Sequence, residues 1–285
     1  MSYIVPKDFV TKMVDAGESK VFMSTRDTVL RAFMAGALLA LAAVFAVSIT
    51  QQTGAPLVGA ILFPVGFCML YLLGFDLLTG VFVLSPLAWI DKRPGVTLSG
   101  VLRNWGLVFI GNFLGALMVA VMMSIIFTYG FTTAPNAVGQ LISTIGESRT
   151  IGYKAHGLAG MLTLFIRGML CNWMVSTGVV GAMISNSVSG KVIAMWMPIM
   201  VFFYMTFEHS VVNMFLFPSG LIMGSRFSLL DYFIWNEIPT VIGNLIGGIT
   251  FTGLTLYTTH LRTAAPKRAR ARAPVVQPIA AVGGE

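Results

Sequence analysis

The string Glu208-His209-Ser210 places a carboxylate, an imidazole and a hydroxyl together inside a long apolar run of the sequence. If that run crosses a membrane, ionisable groups at such depth are costly and usually serve function. Imidazole exchanges a proton near neutral pH, which suits a weak-acid anion that must lose its charge to pass an apolar barrier. We therefore expect His209 to act on a small permeating anion, with Glu208 orienting the ring or capping a helix. A hydrogen-bonded histidine with only a structural role is the alternative.

Other polar side chains lie within or beside the apolar runs, and most of them have two interpretations. The Thr79 hydroxyl either faces a permeant or bonds its own helix, and for the neighbouring Asp76 we favour a structural role. Asn172 and Asn213 either line a pathway or join one helix to another. Lys154 either concentrates anions near a pore mouth or is an ordinary interfacial lysine.

The composition indicates that lipid surrounds most of this chain. Of its 285 residues, 56% are hydrophobic and only 10% are charged, whereas a soluble domain carries about 25% charged residues. Six apolar runs approach or exceed the roughly 20 residues that a membrane crossing needs. They are residues 28–50, 56–90, 104–130, 157–184, 192–225 and 237–260. We predict an all-α membrane protein whose transmembrane domain is residues 28–261.

The second and fifth runs are too long for one crossing, and each is broken in its middle, at residues 74–80 and 206–210. The chain can be aligned with itself so that the two breaks coincide and Asp76 falls on Glu208. We call this the repeat alignment. Backbone groups freed at a break are tolerated only where they line a cavity or are buried in protein. We therefore predict that the two breaks meet around one pathway.

The repeat alignment also pairs the halves 28–130 and 157–261, including a Gly-Asn-x-x-Gly frame at Asn112 and Asn244 that we expect to join helices. Each half holds three runs. Because three is an odd number, the halves must be inverted relative to each other. The sequence thus predicts two inverted three-helix repeats with broken second and fifth helices, an arrangement typical of transport proteins.

The basic residues lie mainly on one side of the predicted membrane. Fourteen of the 18 Lys and Arg residues lie in 1–31, 91–103, 185–191 and 262–285. This distribution predicts that both termini are cytoplasmic. It also makes the net charge of +7 a topology signal and a lipid-headgroup anchor, and we expect no nucleic-acid partner. Residues 1–27 are predicted to be a cytoplasmic segment with an amphipathic helix, and residues 262–285 a basic, disordered tail.

The residues at the two breaks resemble the formate/nitrite transporter family. The similarity is carried by Phe75-Asp76-Leu77-Leu78-Thr79, Phe207-Glu208-His209-Ser210-Val211-Val212-Asn213-Met214, Leu170-Cys171-Asn172-Trp173 and Ile242-Gly243-Asn244-Leu245-Ile246-Gly247-Gly248. The resemblance implies an aquaporin-like protomer in a homopentamer, with a separate pore in each subunit. It also implies that Thr79 and His209 lie midway along the pore and that Lys154 lies near its outer mouth.

Two apolar constrictions are implied by the same resemblance. One is formed by Phe63 and Phe202, and the other by Phe67, Leu78 and Val175. The N-terminal segment of family members can gate the pore from the cytoplasm. An apolar stripe of Val10, Met13, Val14 and Val21 fits that role, and it fits a plain interfacial helix too.

We predict a channel or transporter in the inner (cytoplasmic) membrane for small monovalent weak-acid anions, nitrite or formate. His209 would assist protonation of the anion, with hydrogen bonds from Thr79 and Asn172, and we expect no cofactor and no metal. The resemblance favours nitrite, because Cys171-Asn172-Trp173 with nearby Arg167 is similar to the nitrite-type members of the family, although Cys-Asn-Trp occurs in hydrosulfide-type members too. Hydrosulfide, lactate and acetate are alternatives within the family.

Three other classes of protein fit the sequence less well. An intramembrane enzyme would need a nucleophile or metal motif, and neither HExxH nor Gly-x-Ser-x-Gly occurs. A water or glycerol channel would carry Asn-Pro-Ala at its breaks, and neither break has it. A receptor or scaffold gives no reason for two matched helix breaks.

Overall fold

The computed structural model describes residues 3–262, and apart from one isolated bridge its regular elements in that range are all helical. Three long helices are α2 (Thr25–Thr53), α6 (Leu98–Phe127) and α9 (Gly157–Gly181). A fourth helical stretch, the last helix, runs over Leu229–Arg262. These four are long and apolar enough to cross a membrane. The tail predicted at residues 262–285 lies, from residue 263 onward, outside the described residues.

Shorter helices complete the fold. They are α1 (Pro6–Phe22), α3 (Pro56–Leu62), α4 (Pro64–Leu72), α5 (Leu78–Ile90), α7 (Ala137–Ser148), α8 (Ile151–Ala155), α10 (Val188–Tyr204) and α11 (Ser210–Ile222). Proline supplies no backbone N–H and suits the first helical position, which Pro56 and Pro64 occupy in α3 and α4. The last helix alternates between α-helical and π-helical turns. Its π-helical turns are Phe233–Glu237, Gly248–Leu254 and Thr258–Arg262.

Non-helical residues separate α4 from α5 and α10 from α11. A left-handed residue follows both α4 and α10, namely Gly74 with φ 74° and Thr206 with φ 53°. In each case the next N–H reaches back into the last helical turn, from Phe75 to the Leu70 carbonyl at 2.9 Å and from Phe207 to the Phe202 carbonyl at 3.1 Å. This is the C-terminal capping pattern that satisfies the last carbonyls of a helix. Each helix therefore ends in a cap that pairs carbonyl groups of its last turn.

The helix boundaries themselves repeat along the chain. The repeat alignment carries Pro56–Leu72 onto Val188–Tyr204 and Leu78–Ile90 onto Ser210–Ile222. It also overlays α2 on α9 and α6 on the last helix, with ends that differ by a few residues. In both parts of the chain, the short helices flank a non-helical stretch of a few residues.

Close helix packing depends on glycines at the contacts. The helix α2 packs along α6, and α9 packs along Ile238–Gly247 of the last helix. A Cβ atom on Gly115 would lie 1.9 Å from the Phe33 carbonyl oxygen, and one on Gly247 would lie 2.1 Å from the Met169 carbonyl oxygen. No side chain fits at either position, so the backbones of these helix pairs touch directly.

The helix α1 packs against α5 and buries the apolar stripe of Val10, Met13, Val14 and Val21. A Cβ atom on Gly17 would lie 2.0 Å from the Leu84 carbonyl oxygen, so α1 sits directly on the α5 backbone. The amphipathic N-terminal helix is thus part of the folded core within the described residues.

Replacing Gly115 with alanine should destabilise the protein by about 1–3 kcal/mol, because the new methyl group overlaps the α2 backbone. Gly106 is a matched control in the same helix, since a Cβ atom there meets nothing within 4 Å. Gly106→Ala should be neutral or stabilise by up to about 1 kcal/mol, because alanine favours the helix. Thermal unfolding of both variants in detergent measures this, and equal transition temperatures would contradict the packing described.

Candidate functional site

The His209 ring caps the start of α11. Its Nδ1 atom accepts hydrogen bonds from the backbone N–H groups of Val211 at 3.2 Å and Val212 at 3.3 Å. An atom that accepts two N–H bonds carries no proton, so a neutral ring must hold its single proton on Nε2. The side chain is 1% exposed. His209 therefore presents an N–H donor at a buried point beside the helix start.

The Thr79 hydroxyl oxygen lies where it can accept a hydrogen bond from that N–H. Its Oγ1 atom lies 3.4 Å from His209 Nε2, and the residue is completely buried. If Nε2–H donates to the hydroxyl oxygen, the Thr79 O–H stays available to a third group. The hydroxyl does not bond its own helix carbonyls, which was the alternative for this residue.

Asn172 joins the first and second parts of the chain at the same place. Its Nδ2 donates to the Thr79 carbonyl oxygen at 3.2 Å and to the Asn244 carbonyl oxygen at 2.7 Å. Its Oδ1 atom is buried and has no hydrogen-bond partner among the described residues. The site around His209 thus combines a free hydroxyl donor with an unused amide acceptor.

Asn112 holds the non-helical stretch before α5. Its Nδ2 donates to the carbonyl oxygens of Ala32 at 2.7 Å and Asp76 at 2.9 Å, and its Oδ1 accepts the Leu78 N–H at 2.8 Å. A backbone group without a partner costs several kcal/mol in hydrocarbon. One amide on α6 therefore satisfies three backbone groups, one of them at the N-terminus of α5.

Asn244 does the same before α11. Its Nδ2 donates to the carbonyl oxygens of Gly168 and Glu208, both at 2.8 Å, and its Oδ1 accepts the Ser210 N–H at 3.1 Å. In the repeat alignment, Asp76 and Leu78, two partners of Asn112, correspond to Glu208 and Ser210, two partners of Asn244. The expectation that these asparagines join helices captured only part of their contacts, because each also holds the chain beside the candidate site.

Glu208 is completely buried and surrounded by polar donors. Its Oε1 accepts the Tyr153 hydroxyl at 2.8 Å, and its Oε2 accepts the amides of Asn213 at 3.0 Å and Asn236 at 3.2 Å. Arg149 Nε lies 3.7 Å from Oε1. None of these bonds goes to the neighbouring imidazole. The carboxylate therefore anchors the segment, and Asn213 bonds to it.

Asp76, the counterpart of Glu208, forms an ion pair with Lys20 of α1. Its Oδ1 accepts the ammonium group, while its Oδ2 is buried and has no hydrogen-bond partner among the described residues. The contact ties the N-terminal helix to the non-helical stretch before α5. This agrees with a structural role for Asp76.

Two cavities are lined by residues of the site or by their neighbours in the chain. The His209 cavity, of about 180 Å³, reaches His209 and Phe202 and is lined by residues of α2, α7, α10 and α11. The Asp76 cavity, of about 150 Å³, reaches Leu77 and Gly80 and is lined by α1, α4 and α5. Thr79 contacts His209, which lines the first cavity, and precedes Gly80, which lines the second. Residues that line each cavity are thus direct neighbours of Thr79.

The five predicted constriction residues are buried in one hydrophobic core. They are Phe63, Phe67, Leu78, Val175 and Phe202. The Phe202 ring lies 5.4 Å from the His209 ring and 5.5 Å from the Phe63 ring. Phe202 lines the His209 cavity, whereas Phe67, Leu78 and Val175 line neither of the two cavities. The Phe202 ring therefore packs beside the imidazole, and Phe63 packs behind Phe202.

Lys154 lies apart from this arrangement. Its Nζ donates to Asp231 at 2.8 Å, its side chain is 53% exposed, and it lines neither cavity. The charged residue that lines the His209 cavity is Arg149, which the residue types alone did not single out.

A separate ion pair lies at the end of α7. Arg226 Nη2 donates a hydrogen bond to the Glu147 carboxylate at 2.7 Å, and this bond lowers the pKa of the Glu147 carboxyl.

The residues taken to favour nitrite have other partners. Arg167 Nη1 donates to the Tyr153 hydroxyl at 2.8 Å. The Trp173 ring packs against the Phe251 ring, with the two ring centroids 4.9 Å apart. Cys171 is buried as a free thiol, as is Cys68. Within residues 3–262, no group of three or more His, Cys, Asp or Glu side chains is placed to hold a metal ion.

The chain is similar in sequence to known transport proteins over most of its length. The profile described as "Formate/nitrite transporter" matches residues 7–258. The "Probable formate transporter" of Methanothermobacter thermautotrophicus is 31% identical over 277 residues, which cover 92% of this chain and 98% of that protein.

Two solved structures have a similar fold. One is described as "FNT family ion channel", with a TM-score of 0.76, 21% identity, and coverage of 88% of this chain and 98% of that one. The other, "Pentameric formate channel with formate bound", has a TM-score of 0.68 and 22% identity. It covers 82% of this chain and 96% of that one. The described helices are therefore those of a membrane protein with this channel fold.

Replacing Asn112 with leucine should destabilise the protein by more than about 3 kcal/mol, because three backbone groups lose their partner and each costs about 1–3 kcal/mol. Asn244→Leu should behave alike. Ile110→Leu is a control in the same helix, because Ile110 is 52% exposed. Thermal unfolding in detergent separates the variants, and a transition temperature for Asn112→Leu equal to the control would rule out the amide's role.

Proposed function

The chain belongs to the formate/nitrite transporter family, and from that premise we propose that it conducts formate and nitrite across the inner membrane. The observation that carries the proposal is the buried contact of His209 with Thr79, beside an Asn172 amide that bonds the Thr79 carbonyl and keeps an unpaired oxygen. Ionisable or hydrogen-bonding groups kept in such a place usually serve a permeant.

The proposed architecture has six membrane spans in two inverted halves, 28–130 and 157–261, with an aquaporin-like arrangement. It is supported by the coinciding boundaries of the short helices and by the matching bonds of Asn112 and Asn244. The cavity linings support it too, because the repeat alignment carries six lining residues of the Asp76 cavity onto six of the His209 cavity. The matched sets are Tyr71, Gly74, Phe75, Leu77, Gly80 and Leu84, and Phe203, Thr206, Phe207, His209, Val212 and Leu216.

The proposed orientation puts both termini in the cytoplasm, as the distribution of Lys and Arg indicates. The Asp76 cavity then opens to the cytoplasm and the His209 cavity to the outside. Residues 1–27 form the cytoplasmic N-terminal segment, and residues 262–285 form the basic cytoplasmic tail. Lys154, on the outer side, adds to the potential that draws anions. Five such chains form a homopentamer, a proposal supported by the pentameric channel of similar fold.

In the proposed mechanism the anion loses its charge at the centre of the pathway. A bare charge among Phe202, Phe67 and Leu78 would cost several kcal/mol or more, whereas the neutral acid passes readily. A protonated acid has one O–H donor and one oxygen acceptor. The free Asn172 Oδ1 accepts that O–H, and the free Thr79 hydroxyl donates to the acid oxygen. The site is thus complementary to the acid more than to its anion.

His209 assists protonation of the anion in this mechanism through its Nε2–H, which donates to Thr79 and so directs the Thr79 O–H toward the acid. Its ring carries one proton, on Nε2, and a second proton at Nδ1 would displace the two bonds that cap α11. A neutral imidazole is too weak an acid to give its Nε2 proton to formate or nitrite, so the proton that neutralises the anion comes from solution and the site stabilises the acid that forms. The site accepts both formate and nitrite in this mechanism, since Cys171, Trp173 and Arg167 line neither cavity.

Purified protein in liposomes should admit formate and nitrite and exclude glycerol and gluconate. Uptake should rise as external pH falls, because more of each anion is then protonated at the site. Liposome swelling with each solute, and with hydrosulfide and lactate beside them, measures this selectivity. Swelling in glycerol but in neither anion would replace the proposal with a neutral-solute channel.

Replacing His209 with asparagine should lower formate uptake about tenfold, because the Thr79 hydroxyl loses the Nε2–H hydrogen bond that directs it toward the acid. Asparagine is a good helix cap, so this variant should keep the thermal stability of the natural protein. His209→Phe should lose both stability and uptake, because it removes the cap. Proteoliposome uptake at several pH values tests the pair. Unchanged uptake and pH dependence in His209→Asn would exclude a role for the imidazole.

A further inference from the structure

We infer that Arg149 binds the permeating anion in the His209 cavity and selects planar oxyanions there. The inference deepens the proposed function and rests on it. Arg149 follows α7, where its own N–H donates to the Ile145 carbonyl at 3.1 Å and its carbonyl accepts the Asn236 amide at 2.9 Å. Its backbone is therefore held at both groups, and its side chain faces the cavity.

Arg149 is the one charged residue among the described residues that line the His209 cavity. The remaining lining is mostly apolar, with Thr50, Tyr204, Thr206 and His209 as its other polar residues. An anion that enters this cavity leaves water for a largely apolar wall, where a fixed positive charge is worth more than at an open surface. The Arg149 side chain is 18% exposed, so it is shielded yet reachable.

The guanidinium keeps free hydrogen-bond donors. Its Nε lies 3.7 Å from Glu208 Oε1, which is too long for a hydrogen bond. Glu208 is already satisfied by a tyrosine hydroxyl and two amides. Within the described part of the chain, the two terminal nitrogens of Arg149 have no hydrogen-bond partner. The carboxylate holds the arginine in place without occupying the N–H groups that a ligand would use.

The shape of the free donors points to the class of anion. A guanidinium fork donates two parallel N–H bonds to a planar group with two oxygens. Formate and nitrite have that geometry, whereas chloride and hydrosulfide offer a single atom. Arg149 should therefore favour formate and nitrite over anions with a single acceptor atom before the anion reaches His209. Lys154 cannot replace it, because its ammonium is bonded to Asp231 and lines neither cavity.

Uptake of radiolabelled formate by proteoliposomes tests the assignment. Arg149→Gln should lower uptake about tenfold below half-saturation, as loss of a charge-assisted hydrogen bond requires, and should lower hydrosulfide uptake less. Arg149→Lys should recover part of the loss, since it restores charge without the fork. Arg226→Gln is the matched control: Arg226 pairs with Glu147 of α7 and is 81% exposed, so uptake should be unchanged.

Chemical rescue separates a lost charge from a damaged fold. Arg149→Cys can be modified selectively, because the natural cysteines Cys68 and Cys171 are buried. A positively charged methanethiosulfonate reagent should raise formate uptake several-fold in the same sample, and a negatively charged reagent of similar size should not.

Formate uptake by Arg149→Gln equal to the natural protein, or a larger loss in Lys154→Gln, would overturn the assignment while leaving the proposed function intact. Equal rescue of Arg149→Cys by both reagents would also overturn it. A natural protein that admits neither formate nor nitrite would overturn the proposed function and this inference together.

Discussion

A membrane interior offers no partners to a backbone N–H or C=O that leaves its helix, so the protein must supply them itself. The fold depends on how Asn112 and Asn244 meet this constraint. Each amide makes three backbone hydrogen bonds, and in each case one of them is to the first N–H of a short helix. The chemistry lies one residue away on either side: Thr79 follows Leu78, and His209 precedes the other helix. The groups that hold the backbone therefore also position the site.

The same constraint sets the protonation state of the imidazole. Because His209 Nδ1 caps two N–H groups of α11, the proton of the neutral ring lies on Nε2 and points at the Thr79 hydroxyl. That bond in turn leaves the Thr79 proton free, and the Asn172 oxygen is already unused. The cap of α11 thus determines the tautomer of His209, and that tautomer leaves the Thr79 hydroxyl free. With the Asn172 oxygen, this hydroxyl forms a donor and acceptor pair complementary to a neutral acid. The apolar rings around them make the charged form of a permeant costly.

Much of the fold followed from the sequence, because apolar runs, rare polar residues and their repetition in the second half are visible in the residue types alone. The same is true of the polar centre, since His209, Thr79 and Asn172 each stand out against apolar neighbours. Side-chain partners were harder to predict. Lys154 bonds to Asp231, 77 residues away along the chain, and only tertiary packing shows that this contact occupies it. Arg149 gave no signal, because a basic residue in a loop is ordinary until a cavity is seen beside it.

Nitrogen-15 NMR of the imidazole in lipid bilayers tests the central claim most directly. The chain has three histidines, so substitution of His156 and His260 leaves the His209 signals alone. The account predicts, at neutral pH, a ring with a protonated Nε2 and an unprotonated, hydrogen-bonded Nδ1. A proton on Nδ1, or a doubly protonated ring under those conditions, would show that the imidazole does not cap the helix and would contradict the account.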